Sequence, residues 1–168
     1  LAKRALVIGC ETLSRIIDVH DRDSMIFSDG AGAACLELQD VQEGGSGIMG
    51  RAAVSYTKNE VYFLKSNPSN NPTRERQERL IKMKGRKIYE FAIRNVPDAM
   101  KAALDNAGVD LSEVKKIFMH QANAKLDHAV GERLYKLYGL EVDLDSVMPM
   151  SIQWMGNSSV ATVPTLFD

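Results

Sequence analysis

The sequence predicts a layered α/β fold with at least part of its sheet parallel. Apolar runs of strand length alternate with segments whose apolar residues recur at helical spacing, and a glycine stands where each of the two main helical patterns stops. Strands that alternate with helices of this length need crossovers, and crossovers place helices on the faces of a sheet.

Taken in order, Ala5–Cys10 is a continuous apolar run, as expected of a strand covered on both faces. A connector from Glu11 to Val19 ends in the polar turn His20–Ser24, and Met25-Ile26-Phe27 leads into Ser28-Asp29-Gly30-Ala31-Gly32-Ala33-Ala34-Cys35-Leu36-Glu37-Leu38. Small residues there allow close backbone approach, and the end of the run alternates like a strand. The Gly30/Gly32 pair is not a dinucleotide fingerprint: no strand–turn–helix order surrounds it, and Cys35 holds the third position. Gly44-Gly45-Ser46-Gly47 reads as a turn rather than a phosphate loop.

From Arg51 to Leu64 the residues are β-like, and Asn67–Pro72 is a loop. Arg74–Lys87 carries seven basic residues against two acidic ones. That pattern suits a solvated helix face and equally a docking surface for an acidic or phosphorylated partner. Ile88, Phe91, Ala92, Val96, Ala99, Met100, Ala103 and Leu104 then recur at helical spacing and predict one buried stripe. Pro97 predicts a kink or break near Asn95, and Gly108 ends the helix. A strand Val114–Met119 follows, then a helix Ala124–Leu137 with Leu126, Val130, Leu134 and Leu137 inward. Gly139 stops that helix, and a strand Ser146–Met150 comes next.

With 168 residues, 45% hydrophobic and 26% charged, the chain has the composition of one soluble domain with a real core. A formal charge of −1 predicts no general attraction to nucleic acid or membrane, and no apolar run reaches the length of a membrane span. Cys10 and Cys35 sit in apolar runs without metal-type spacing, so the simplest expectation is a reduced, cytoplasmic protein with no metal site. His20 and His128 have no partner spacing for a metal or a triad and read as surface residues.

Two strand–loop–helix units carry the chemistry. The first strand ends in His120-Gln121-Ala122-Asn123 and the second unit ends in Gly156-Asn157-Ser158-Ser159. Ligands in α/β proteins bind outside the carboxyl ends of strands, which is where His120 falls. Asn157 and Asn123 also suit helix N-caps, so a structural reading stands beside the functional one.

These motifs, in order with Asp21-Arg22, the Ser28–Ala34 run, Met83-Lys84-Gly85 and Val163-Pro164, resemble the beta-ketoacyl-[acyl-carrier-protein] synthase III family of the thiolase-like superfamily. The resemblance implies a thiolase-like fold: two pseudo-symmetric halves, each with a mixed five-stranded sheet layered with helices. Residues 1–49 would then be the end of the N-terminal half and residues 50–168 most of the C-terminal half. It implies a homodimer that joins an acyl-CoA primer to malonyl-acyl carrier protein with loss of carbon dioxide, acyl-CoA being a substrate and no cofactor being required. By the same likeness His120 and Asn157 are the catalytic donors. Arg22, Gly85, Tyr89 and Asn123 line the coenzyme A and pantetheine path, and Lys125, Arg86 and Lys82 meet the carrier protein.

The chain departs from the family in several places. Asp23 stands where glycine is usual, Tyr89 where phenylalanine is common and Lys125 where arginine is used. Neither cysteine sits in the family's nucleophile context, a small-residue turn from a strand into a buried helix. The expectation is therefore a fragment lacking the nucleophile-bearing part and the extreme C-terminus, inactive alone. A polyketide-type or O/N-acyl-transferring relative, and an inactive partner subunit that binds carrier protein, are the alternatives.

Overall fold

A computed structural model of the chain describes residues 2–40, 46–73 and 78–167. Leu1, Gly44, Gly45, Arg74, Glu75, Arg76 and Asp168, which enter the sequence reading, lie outside the described residues. β1 (Arg4–Thr12) and β2 (Asp29–Glu37) form an antiparallel pair in which Gly9 faces Gly32 and Cys10 faces Ala31. β3 (Leu64–Asn67) and β4 (Leu80–Met83) form a second antiparallel pair. Parallel pairing among the described residues is one bridge, Phe27 to Asn157. The five-stranded ladder expected of each half is thus represented by two pairs and a bridge. Both faces of β1 are open in consequence: Leu6 and Ile8 on one and Val7 on the other are exposed, contrary to the doubly covered strand expected there.

The small-residue run acts as anticipated. A Cβ on Gly30 would lie 2.7 Å from the Ser158 Cβ, and one on Gly32 would lie 2.4 Å from the Pro164 Cβ. Only glycine lets the 158–164 segment lie this close on β2. Asp29, at the head of β2, accepts from the Ser14 backbone N–H at 2.8 Å and from its hydroxyl at 2.6 Å, which pins the connector after β1 to the same strand.

α1 (Gly85–Ala107) is continuous through Pro97, so the break expected near Asn95 does not form. Pro97 is buried, and the Asn95 side chain donates to the Phe91 carbonyl at 2.7 Å. The apolar stripe of α1 is half-buried rather than sealed. Its N-terminal part takes Tyr56 edge-on to Phe91, with ring centroids 5.2 Å apart. Its C-terminal part, Met100 and Leu104, packs on the core. Gly108 stops the helix as expected: its N–H and that of Val109 turn back to the Asp105 and Leu104 carbonyls.

α2 (Ala124–Leu137) matches its predicted bounds, with Leu126, Val130 and Leu134 buried. Leu137, predicted inward, is 42% exposed, since in the last turn Leu134 and Tyr135 take the places on the core. Leu111, Ile117, Leu134, Tyr135, Leu144 and Met148 make the core between α2 and the segments on either side of it. Full burial of a side chain such as Leu134 is worth about 1.5–3 kcal/mol.

Three strand expectations fail. Residues 114–119 are extended but make no ladder, bonding to the 144–148 segment through Ile117 N–H to the Val147 carbonyl at 2.9 Å. Ser146–Met150 is not a strand, since α3 (Leu144–Val147) occupies its start. Arg51–Leu64 holds a 3-10 turn at Asn59–Tyr62 and no strand before Leu64, where β3 opens. Each run is β-compatible locally, yet a strand exists only where a neighbour accepts its hydrogen bonds.

Between the two strand pairs lies a buried polar brace. Asp18, fully buried, accepts from the Asn70 N–H at 2.6 Å, the Ser69 hydroxyl at 2.9 Å and the His20 N–H at 3.1 Å, and it pairs with Lys82 Nζ at 2.5 Å. Lys82 also reaches Asp21 at 2.8 Å. Burial alone would raise the Asp18 pKa, but Lys82 and these donors hold it well below the usual carboxylate range. Lys82 therefore points inward, and its expected role in carrier-protein docking is corrected: its ammonium is spent on two carboxylates. Replacing one partner strands a buried charge, so Lys82→Met is expected to lower the urea-unfolding free energy of the whole protein by about 3–5 kcal/mol near neutral pH. Because the folded Asp18 pKa is depressed, the contribution it reflects is present above the ordinary carboxylate pKa and fades as acid protonates it, so the wild-type advantage should shrink in acid.

Candidate active site

His120 ends the extended 114–119 segment, and Gln121 fixes where that end lies. Gln121 is fully buried; its Oε1 accepts from the Ser151 N–H at 2.9 Å and the Ile152 N–H at 3.3 Å, and its Nε2 donates to the Met119 carbonyl at 3.3 Å. The carboxamide thus ties the His120 loop to the start of α4 (Ile152–Met155), the short helix that delivers Gly156 and Asn157. Gly156 has φ 68°, a left-handed turn, and a Cβ there would meet the Ser28 Cβ at 2.9 Å. The chain then bonds to the other side of the molecule: the Asn157 N–H donates to the Ile26 carbonyl at 2.7 Å, and the Ser28 N–H donates to the Asn157 carbonyl at 3.0 Å.

Both candidate donors converge on Ser159. Asn157 Oδ1 accepts from the Ser159 N–H at 2.9 Å, and His120 Nδ1 lies 3.2 Å from the Ser159 carbonyl oxygen and 2.8 Å from Thr162 Oγ1. Ser159 is the one non-glycine residue with positive φ, 55°, among the described residues. A strained conformation of this kind costs about 1–3 kcal/mol and persists where the surroundings over-determine it. Oδ1 of Asn157 is taken, so its Nδ2 is the end left to donate, and Nε2 of His120 likewise has no partner among the described residues. Desolvation pushes the His120 pKa down, against the pull of the Ser159 carbonyl, which favours the neutral imidazole.

Asn123 serves as the cap of α2: its Oδ1 accepts from the Leu126 N–H at 3.0 Å. Arg22 is exposed at the start of a 3-10 turn, Arg22–Ile26, whose Asp21 N-cap side chain accepts from the Asp23 N–H. A Cβ on Gly85 would sit 3.3 Å from Asp23 Oδ2, so the turn bearing Arg22 abuts the first turn of α1. Tyr89, one turn further on, is 37% exposed. The same 22–28 loop runs on into the bridge with Asn157, which joins these residues to the His120/Asn157 cluster. Arg86 and Lys125 are exposed, Arg86 pairing with Glu90 at 2.9 Å. His20 is exposed, whereas His128 is half-buried with Nε2 3.4 Å from Asp145. Cys10 and Cys35 are free thiols. No group of three or more His, Cys, Asp or Glu suited to a metal occurs among the described residues, and no helix there is long and apolar enough to cross a membrane.

Three residues of this region escape a reading by motif: Gln121, Thr162 and Asp127. Asp127 is buried in the first turn of α2, and its Oδ2 has no partner. Burial raises its pKa to about 7, opposed by the backbone N–H groups of Ala122 and Asn123 in the His120 loop. The signal was present, since an acid interrupts the apolar face set by Leu126, Val130 and Leu134.

Solved structures share this fold. The 3-oxoacyl-(acyl carrier protein) synthase III of Pseudomonas aeruginosa superposes with a TM-score of 0.79 over 98% of this chain and 48% of its own, at 24% identity. The enzyme of the same name from Aquifex aeolicus gives 0.76 over 98% of this chain and 47% of its own, at 29% identity. The fold is therefore that of the thiolase-like condensing enzymes. In sequence, the beta-ketoacyl-[acyl-carrier-protein] synthase III of Erythrobacter litoralis is 35% identical over 170 residues, covering 100% of this chain and 50% of the relative. Residues 1–56 match the family described as 3-oxoacyl-[acyl-carrier-protein (ACP)] synthase III, and along its whole length the chain is similar to synthases of that name. It spans about half the length of the curated relatives it matches.

Asp127 generates a pH prediction. Its folded pKa lies above its unfolded value, so the stability it permits is complete below about pH 4 and is lost as pH rises through about 7. Asp127→Asn should remove that loss. Its gain in urea-unfolding free energy over wild type should be small near pH 4 and reach up to about 4 kcal/mol near pH 8.

Proposed function

We propose that the whole protein joins an acyl-CoA primer to malonyl-acyl carrier protein with loss of carbon dioxide, as a cytoplasmic homodimer without a cofactor. The observation that carries this reading is the convergence of His120 and Asn157 on the backbone of Ser159, one on its carbonyl and one on its N–H. In the condensation, the bond from the malonyl Cα to its carboxylate breaks and carbon dioxide leaves. The electron pair flows toward the thioester oxygen as an enolate. The enolate carbon then attacks the acyl thioester carbonyl, and the thiolate that carried the acyl group departs. Negative charge develops on the malonyl thioester oxygen, where two neutral donors of fixed orientation stabilise it best. Asn157 Nδ2 and His120 Nε2 are such donors. A neutral imidazole suits the task because it places no cation beside the carboxylate that must leave.

The acyl-bearing thiol is assigned to a residue other than Cys10 and Cys35, both of which lie on the β1–β2 pair without a hydrogen bond to His120 or Asn157. The 168 residues by themselves are accordingly assigned no condensing activity. Arg22 and Gly85, on abutting turns, and Tyr89 beside them form the path for the coenzyme A or pantetheine arm. Asn123 contributes to that path through its position in the loop, its Oδ1 being committed to the α2 cap. The exposed apolar side chains of β1 support burial against further chain or a second copy.

His120→Ala in the whole protein should slow malonyl decarboxylation by about 100- to 1,000-fold, while transfer of the acyl group from acyl-CoA stays measurable. Equal loss of both half-reactions in single-turnover assays would count against the assignment. Reversing the charges at Arg86 and Lys125 should raise KM for malonyl-acyl carrier protein and leave KM for acyl-CoA unchanged, since only the carrier is a large acidic partner.

A further inference from the structure

We propose that Thr162 is a positioning residue that sets the tautomer of His120, its hydroxyl turning onto Nδ1 so that the neutral ring carries its proton on Nε2. The proposal deepens the reading of His120 as an oxyanion donor and rests on it. Nδ1 has two polar neighbours, Thr162 Oγ1 at 2.8 Å and the Ser159 carbonyl oxygen at 3.2 Å. A carbonyl only accepts, so Ser159 by itself would draw the ring proton to Nδ1 and leave Nε2 as a bare lone pair. Such a ring cannot donate to a developing oxyanion. A hydroxyl both donates and accepts, and Oγ1 lies 2.8 Å from each of two acceptors, Nδ1 and the Ser159 carbonyl.

Rotation of this one O–H decides where the ring proton sits. Directed at Ser159, it leaves Oγ1 to accept from Nδ1–H. Directed at Nδ1, it makes Nε2 the N–H end. The second arrangement leaves no carbonyl stranded, because the Ser159 oxygen still accepts from the Thr162 backbone N–H at 3.2 Å. Thr162 is 2% exposed, so water has little room to replace the hydroxyl. The left-handed backbone of Ser159 holds the carbonyl in place, so the hydroxyl is the part of the triangle free to turn. A proton on Nε2 completes the donor pair with Asn157 Nδ2, and the growing negative charge itself favours that arrangement.

The test uses the whole protein with histidine labelled by nitrogen-15, the His120 signals being assigned with His120→Gln. Above the pKa of the ring, wild-type His120 should carry its proton on Nε2, and Thr162→Val should shift it to Nδ1. Thr162→Val should also lower kcat for malonyl decarboxylation about 100-fold or more with KM little changed, and keep acyl transfer from acyl-CoA. Thr162→Ser, which restores the hydroxyl, should return the rate to within a few-fold of wild type. The proposal is overturned by a wild-type ring protonated on Nδ1, by the same tautomer in wild type and Thr162→Val, or by a serine variant as slow as the valine one. The resonance data decide it apart from the function: a His120→Ala protein that decarboxylates at the wild-type rate would end the oxyanion reading, and the tautomer would still be read directly.

Discussion

A single buried carboxamide holds the candidate site in register. Gln121 has no access to water, and its oxygen is the acceptor for two backbone N–H groups at the head of α4 while its nitrogen turns back on the Met119 carbonyl. The histidine loop and the asparagine loop are far apart in sequence, and neither is stabilised by a ladder of strand bonds. Burying an amide without partners costs about 1–3 kcal/mol on protein mutational scales, so the fit of Gln121 is strongly specified.

Around that clamp the electrostatics are kept close to neutral. Burial lowers the pKa of His120 and raises that of Asp127, so both groups are pushed toward their uncharged forms. The full charges of the interior are gathered in the Asp18–Lys82–Asp21 brace, where each finds an opposite partner. The separation suits chemistry in which charge must appear on the substrate and be met by dipoles already in place. The α2 cap contributes in the same way, since Asn123 satisfies a backbone donor of the first turn without adding a charge.

Much of this was legible in the sequence, and the parts that were not share a cause. The bounds of α2, the stop at Gly108 and the small-residue run of β2 follow from local chemistry: cap preference, left-handed freedom and the missing Cβ. The motif order His120–Asn123 and Gly156–Ser159 pointed to two loops, and the geometry brings both to Ser159. Strand status at Ser146–Met150 and at Arg51–Leu64, the outward turn of Leu137 and the inward turn of Lys82 depend on which neighbour is present, and a one-dimensional pattern does not specify neighbours. Lys82 is the instructive case. Its place in a basic run suggests solvent, while its partners Asp18 and Asp21 lie 64 and 61 residues earlier in the chain. Thr162 was hidden for the same reason, since a threonine is informative only once an imidazole lies against it.

The bridge between Phe27 and Asn157 joins residues separated by most of the chain. Closing so long a loop carries an entropy cost that must be met before the contact returns anything, which makes such pairings late events in folding. During synthesis the Ile26 carbonyl and the Ser28 N–H are made long before Asn157, the residue that partners both. The backbone groups of the 26–28 segment therefore wait on water until nearly the whole chain has been made, and the link they form closes the fold rather than starting it.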